Sequence, residues 1–289
     1  FGAASPVSPK IKSGNVTIAE IPMARYYAVF LNNNSPNPIL QNKQTREILS
    51  AVINKSAIVK KIFEDFKPYA ITNPVPESWL VTNKLDDENS EEAKTLVETL
   101  KQKESAVSLN LIVPKIPFME KTAEEIKHQL ESAGVDELTI TALPSEEIAS
   151  SVLRNRNYDM ILFGHILDNP DDLFPFWHST QTSYPGLNIV SYKNFRVDSL
   201  LEKIRTSLEP EERTEFLKDL SSIIQSDSPA IFLFQMPYAY VHRNRLQGLK
   251  IEKNFIGSAN ERFENISSWH VLTARVIKKT AVNTPTAKN

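Results

Sequence analysis

Strand-like and helix-like segments alternate between residues 108 and 164, and this alternation constrains the fold more than any other feature of the sequence. Three short segments carry the apolar or alternating pattern of β-strands: Ser108–Val113, Glu137–Leu143 and Met160–Phe163. The intervening segments Phe118–Ala133 and Ser145–Val152 have apolar residues at helical spacing. Because strands joined by helices return to the same sheet in parallel, we predict an α/β fold with a mainly parallel central sheet and helices on both faces.

The sequence on either side of this unit predicts further strands and helices of the same fold. Strands are expected at Val16–Ile21, Tyr26–Leu31 and Pro229–Phe234, and helices at Ser90–Lys103, Asp198–Arg205 and Glu211–Ser226. Two more helices are expected to begin at Thr45 and Ser56, which are good N-cap residues. The strand that begins at Met160 is expected to stop at Gly164.

The composition argues against several classes of function. The 289 residues carry a formal net charge of −2, which gives no reason to expect nucleic acid as a partner. Cysteine is absent from the sequence, so disulfides, thiolate metal sites and a cysteine nucleophile are excluded. The nucleophile-elbow, phosphate-loop, dinucleotide-binding and zinc-protease motifs are also missing from it. We therefore expect a protein that is not an enzyme and has no cofactor.

Acidic and aromatic residues crowd the loop after the third strand of the alternating unit. They are Asp168, Asp171, Asp172, Phe174, Phe176 and Trp177. An α/β fold builds its binding cleft from loops of this kind, at the ends of its strands. His165 and His178 bracket the loop and could form a metal site with the aspartates. Because aspartate and proline are also common turn formers, we favour a loop without a metal.

This stretch resembles the extracytoplasmic solute-binding proteins of ABC importers, in the oligopeptide/dipeptide/nickel-binding family (family 5). The residues in step with the family pattern are Asp159, Gly164, Asp168, Phe176, Ser179, Asn188, Tyr192 and Asn194. Arg25-Tyr26-Tyr27 resembles the strand that enters the second lobe, and Gln44–Lys60 resembles a family helix. His165 departs from the pattern, because tryptophan is usual there. The resemblance covers roughly residues 15–280.

The resemblance implies one lobe of a periplasmic-binding-protein type II fold, with the N-terminal lobe absent. The expected organisation is a linker with hinge strands at 1–27, the ligand-binding lobe at 28–228, a return segment at 229–279 and a disordered tail at 280–289. The linker and the return segment would pack on the other lobe. An apolar patch near Phe232–Tyr240 would then be exposed in this chain alone.

The resemblance also implies a ligand site. Asp168 is the leading candidate to hold the α-ammonium group of a peptide through a charge-assisted hydrogen bond, with Asp171 and Asp172 as competitors. Phe174 and Trp177 would line side-chain pockets, and His165 completes the expected ligand-binding set.

The function implied is that of the peptide- or solute-binding component of an ABC importer. Such a protein works outside the cytoplasm, in the periplasm or anchored at the cell surface. It closes its two lobes around the ligand and delivers it to the permease subunits. The alternative is a sensory or regulatory module of the same fold, in which the ligand is a signal. A hydrolase is a poorer interpretation, because no nucleophile–base pair can be nominated.

Overall fold

The computed structural model describes residues 15–63, 68–76, 90–101, 106–250, 254–271 and 273. The strands are β1 (Val16–Ile21), β2 (Arg25–Leu31), β3 (Tyr69–Ala70), β4 (Ser108–Pro114), β5 (Glu137–Leu143), β6 (Met160–Ile166), β7 (Ala230–Gln235), β8 (Tyr238–Arg243), β9 (Leu246–Gln247) and β10 (His270–Val271). The helices are α1 (Lys43–Val52), α2 (Lys55–Ile62), α3 (Ser90–Lys101), α4 (Pro117–Ala133), α5 (Ser145–Glu147), α6 (Phe174–Trp177), α7 (Phe195–Thr206) and α8 (Pro210–Asp227). Helix α5 continues through a π-helical turn, Ile148–Val152, to Leu153–Asn155.

A six-stranded sheet in the order β3-β7-β2-β6-β4-β5 forms the centre of the molecule. The predicted unit is confirmed, since β4 lies between β5 and β6 and is parallel to both. The sheet as a whole is mixed rather than mainly parallel, because β2 is antiparallel to both β6 and β7. Helical crossovers enforce parallel pairing only within β4-α4-β5-α5-β6, and β2 and β7 enter the sheet from outside that unit.

Helices cover both faces of this sheet, as predicted. On one face, called the α4 face, buried side chains of α1 to α4 pack against the strands. On the other, called the α8 face, side chains of α6, α7 and α8 do the same. Side chains of the central strands therefore alternate between two cores. In β6, Met160 and Leu162 lie on the α4 face, and Ile161 lies on the α8 face. Full burial of each such side chain contributes about 1.5–3 kcal/mol.

The expected lobe boundary after residue 228 falls too early. Strand β7 is a central strand between β3 and β2, and every residue in it is buried. The apolar patch expected near Phe232–Tyr240 is therefore not exposed over β7. Its apolar residues fill both cores, with Phe232 on the α8 face and Leu233 on the α4 face.

A separate two-stranded ribbon lies beyond the sheet. Strand β8 does not extend β7 but pairs with β1, with Val16 opposite Arg243 and Ile21 opposite Tyr238. Strands β9 and β10 form another short antiparallel pair. The expected tail, 280–289, lies outside the described residues. Of the helices described, none has both the length and the apolar character that a membrane crossing requires.

Candidate functional site

Strand β6 passes through Gly164, where it was expected to stop, and ends at Ile166. The glycine has a packing role within the strand. A Cβ at this position would lie 2.7 Å from Cε1 of the Tyr27 ring, on the neighbouring strand β2. Gly164 thus allows a tyrosine ring to lie flat across the strand, where any larger residue would displace it.

The longer strand decides which residues of the loop share a face. Side chains alternate along a strand, so Gly164 and Ile166 follow Leu162 on the α4 face. Leu167 N donates to Ala24 O at 2.8 Å, which continues the extended pairing one residue further. His165 and Leu167 belong to the α8 face, and Asp168 follows in a bend beyond the end of the strand.

His165 is consequently a core residue, and the structure does not bring it to the sheet edge. It is buried, and its Nδ1 lies 2.9 Å from the Tyr26 hydroxyl. Its ring packs against Phe30 and Phe176, with centroid distances of 4.5 and 4.4 Å. Burial lowers the pKa of His165 to about 3, so the imidazole is neutral at physiological pH.

The two aromatic residues expected to line pockets also lie away from the α4 face. Trp177 is completely buried in the α8-face core, against Phe232. Phe174 stacks on His178 at 4.1 Å, and the Arg205 guanidinium lies 4.0 Å above the ring. Both rings therefore anchor the loop to α7 and the core. Contact with a ligand is not supported for either ring by these positions.

The three aspartates of the loop are distinguished by their partners. Asp172 accepts two hydrogen bonds from Arg205, from Nε at 2.9 Å and Nη2 at 2.8 Å. Asp171 pairs with Arg213 Nη1 at 3.3 Å. Asp168 is exposed, and across the described part of the chain its carboxylate has no hydrogen bond or ion pair. Asp168 alone keeps a carboxylate available for a ligand.

An apolar cavity of about 130 Å³ lies at the end of β6 from which the chain continues to Asp168. We call it the edge cavity, and it is lined by Arg25, Tyr27, Pro114, Ile116, Phe118, Met119, Ser145, Phe163, Gly164 and Ile166. It sits at the carboxyl ends of β4, β5 and β6, the position where α/β sheets hold ligands. Asp168 does not itself line the cavity but follows two residues after Ile166, which does.

The walls of the edge cavity come from residues with well-defined neighbours. The Tyr27 ring meets Phe118 edge to face at 5.3 Å and lies 5.4 Å from Phe234. Burial raises the pKa of Tyr27, and the Arg25 charge opposes that rise. The cavity thus combines an apolar floor with one buried guanidinium. It suits an apolar group of an otherwise polar ligand.

The metal alternative receives no support from the histidines. His165 faces the Tyr26 hydroxyl, and His178 Nδ1 lies 2.8 Å from Thr180 Oγ1. Within the described residues, no group of three His, Cys, Asp or Glu side chains is arranged to hold a metal ion.

Sequence reasoning did not identify most of the cavity lining. Arg25 and Tyr27 could have been found from the alternation of β2, in which Tyr27 and Val29 pack on the α4 face while Tyr26 and Ala28 pack on the α8 face. Phe118 and Met119 look like ordinary core positions of an amphipathic helix. Only the strand order shows that the first turn of α4 borders the end of β6.

Comparisons with known proteins agree with this architecture. The family model described as bacterial extracellular solute-binding proteins, family 5 Middle, matches residues 2–185. The chain is similar to the oligopeptide-binding protein AppA of Bacillus subtilis, with 22% identity over 238 residues, or 77% of this chain and 44% of the relative.

Two solved structures share the fold. One is NikZ from Campylobacter jejuni in complex with Ni(L-His), with 23% identity and a TM-score of 0.69, covering 89% of this chain and 54% of that one. The other is AppA from Bacillus subtilis in complex with a nonapeptide, with 20% identity and a TM-score of 0.71, covering 91% and 53%. The chain spans about half the length of these relatives. On the family match, it belongs to family 5 of the bacterial extracellular solute-binding proteins.

Proposed function

We propose that this chain forms one half of the ligand site of an extracytoplasmic receptor that captures peptides for an ABC importer. One observation carries the proposal. Asp168 is exposed and unpaired among the described residues and follows two residues after Ile166, which lines an apolar cavity, while the two neighbouring aspartates are held by arginines. A free carboxylate beside an apolar cavity is complementary to the amino end of a peptide, where an ammonium group and a side chain are close together.

The proposed contacts follow from this geometry. The peptide α-ammonium group donates to Asp168, and the first apolar side chain enters the edge cavity. A hydrogen bond to a charged group contributes about 1.5–3 kcal/mol, more than a neutral one. The cavity adds affinity by removing apolar surface from water.

Closure by a second lobe completes the proposal. The relatives are about twice as long as the span matched here, which leaves room for such a lobe. The ribbon of β1 and β8 is a suitable surface for it, since Tyr238 and Tyr240 are only partly buried and their rings stack at 6.5 Å. The closed receptor would then dock on the permease, outside the cytoplasm.

The two structural relatives were solved with different ligands, and the described site is better suited to the peptide. AppA was solved with a nonapeptide and NikZ with Ni(L-His). The edge cavity is mostly apolar, and Asp168 is a single carboxylate rather than part of a ligand cluster. An organic cation with an apolar substituent fits these groups better than a metal complex does.

Calorimetry on the complete gene product tests the proposal. A panel of peptides is titrated with free and with acetylated amino termini. Asp168→Asn should weaken binding of the free peptides by roughly ten- to hundred-fold, because 1.4 kcal/mol is tenfold in affinity. Binding of the acetylated peptides should hardly change.

Asp171→Asn is the matched control, since it makes the same chemical change in the same loop at a carboxylate already paired with Arg213. It should leave peptide affinity nearly unchanged. An equal loss for free and acetylated peptides in Asp168→Asn would show that Asp168 only shapes the loop. A loss in neither would remove Asp168 from the site.

A further inference from the structure

We propose that a second site, on the opposite edge of the sheet from Asp168, binds a phosphate-bearing polyol. A polar pocket of about 560 Å³ lies there. We call it the basic pocket, and it is lined by Asn33, Asn34, Arg154, Arg156, Thr182, Ser183, Tyr184, Ser191 and Lys193.

The strand directions separate this pocket from the peptide site. Asn33 and Asn34 follow the end of β2, where Leu31 pairs with Met160 at the start of β6. The edge cavity lies at the other end of the same two strands, beside Gly164 and Ile166. The full length of β6 therefore lies between the two sites, and the proposal does not depend on peptide binding.

The charge of the basic pocket favours an anion. Arg154, Arg156 and Lys193 line it, and none of the described lining residues is acidic. The carboxylate of Asp159 is engaged elsewhere, by Ser35 Oγ at 2.5 Å and by Asn110 N at 3.3 Å. The end of the preceding helix contributes only about half a negative charge, so a positive excess remains.

The side chain of Arg156 is held in place by its neighbours. Its Nη2 donates to Gly186 O, its guanidinium also interacts with the Tyr158 hydroxyl, and Nε and Nη1 are buried away from solvent. The adjacent Tyr158 hydroxyl donates to Ile189 O. Arg156 lines the basic pocket, so the fixed positive charge of its guanidinium favours an anion there.

The wall of the basic pocket is held in a defined shape before any ligand arrives. Arg156 and Ser191 both have a φ of 55°, a left-handed conformation that few residues adopt without surrounding support. Asn188 is buried and donates to His178 O at 3.1 Å and Tyr192 O at 2.9 Å, which fixes the loop. A fixed wall reduces the ordering that binding requires.

Size and lining together define the ligand class. The pocket is larger than inorganic phosphate needs and falls within the range of sites for small organic molecules. The hydroxyls of Thr182, Ser183 and Ser191 suit a polyol. Such a phosphate could belong to a soluble glycerol or sugar phosphate, or to the phosphoglycerol headgroup of a lipid.

Titration with two probes distinguishes these sources. The complete gene product is titrated with glycerol 3-phosphate by calorimetry and is co-sedimented with phosphatidylglycerol vesicles, using phosphatidylcholine vesicles as the neutral reference. The double variant Arg154→Gln/Lys193→Gln removes two exposed cations of the pocket and retains Arg156. Binding of the preferred probe should weaken by about tenfold or more, while peptide affinity stays unchanged.

The matched control is Lys121→Gln/Lys218→Gln, which removes the same charge from exposed positions on α4 and α8. It should change probe binding by less than about twofold, because exposed charges at a distance are screened. Loss with glycerol 3-phosphate alone assigns a soluble ligand, and loss with vesicles alone assigns a lipid headgroup. Absence of saturable binding by the parent protein, or equal losses in both double variants, would overturn the proposal.

Discussion

At the scale of single residues, neighbours in sequence have opposite chemical surroundings. Asp168 is exposed and unpaired within the described structure, while His165, three positions earlier, is buried against Tyr26 and Phe30. Burial lowers the pKa of His165 to about 3, from an ordinary value of 6.5. Between these pH values the unfolded chain binds a proton that the folded chain does not. His165 therefore reduces stability as the pH falls below 6.5.

Replacing His165 by phenylalanine should remove this pH dependence. The Tyr26 hydroxyl loses its hydrogen bond to the imidazole, which costs about 1 kcal/mol at every pH, so the variant is less stable at pH 7.5. At pH 4.5 the free energy of unfolding of the parent protein falls by about 2–3 kcal/mol because of His165. The difference in unfolding free energy between the parent protein and the variant should therefore narrow by that amount. Chemical denaturation at both pH values measures the free energies of unfolding.

The control for this experiment is His128→Gln, at an exposed position of α4. Its difference in unfolding free energy from the parent protein should change less between the two pH values than that of His165→Phe. If His165→Phe and the parent protein lost equal stability on acidification, the burial of a neutral imidazole would be refuted.

At the scale of elements, β6 shows what sequence patterns can and cannot predict. The strand was predicted to begin at Met160, and it does, but Gly164 was taken as its end because glycine often terminates strands. The glycine instead accommodates the Tyr27 ring. This contact joins two strands that are far apart in sequence, so no local sequence pattern predicts it. The error in strand length is the reason that His165 was assigned to the site.

Gly164→Ala tests this role directly. The added methyl group would lie 2.7 Å from Tyr27 Cε1 and must displace the ring that forms part of the edge cavity. We expect a loss of about 1–3 kcal/mol in unfolding free energy and weaker peptide binding. In a Tyr27→Ala background the clash is absent, so the same substitution should cost almost nothing. Strict additivity of the two changes in denaturation experiments would contradict the proposed contact.

The N-cap residues of two helices also differ from those predicted from the sequence. Thr45 and Ser56 were predicted as N-caps, but asparagines earlier in the chain perform this role. Asn42 Oδ1 accepts from Gln44 N at 2.9 Å, and Asn54 Oδ1 accepts from Ala57 N at 2.8 Å. Asparagine and serine are almost equally good caps, so propensity alone could not choose between them.

At the scale of the whole molecule, helix and strand periodicity was sufficient to predict the layers. The α/β architecture and the parallel unit β4-α4-β5-α5-β6 follow from local patterns, because each helical crossover forces its two strands into one sheet. The pairings of β2 with β6 and β7 could not be predicted in this way. They connect residues more than a hundred positions apart, and they determine both the mixed sheet and the edge cavity.

The proposed second lobe gives a prediction at this scale. At a peptide concentration of 100 times its Kd, the complete gene product should gain about 2.7 kcal/mol of stability. Residues 1–289 alone should gain much less at the same concentration, since they would present only one half of the site. Thermal denaturation of both proteins, with and without peptide, measures the difference. An equal gain would show that these residues hold the entire site.

The alternation of side chains in β6 has a consequence for how the proposed ligand site can change its specificity. Gly164 and Ile166 form one set that lines the edge cavity, and His165 between them belongs to a second set that faces the opposite core. Selection can therefore vary Ile166 without disturbing the second set, whereas Gly164 is fixed by the Tyr27 ring. A deletion of one residue would exchange the two sets and expose core side chains to the ligand. In the proposed site, new specificities would thus arise by substitution at Ile166 and not by a change in strand length.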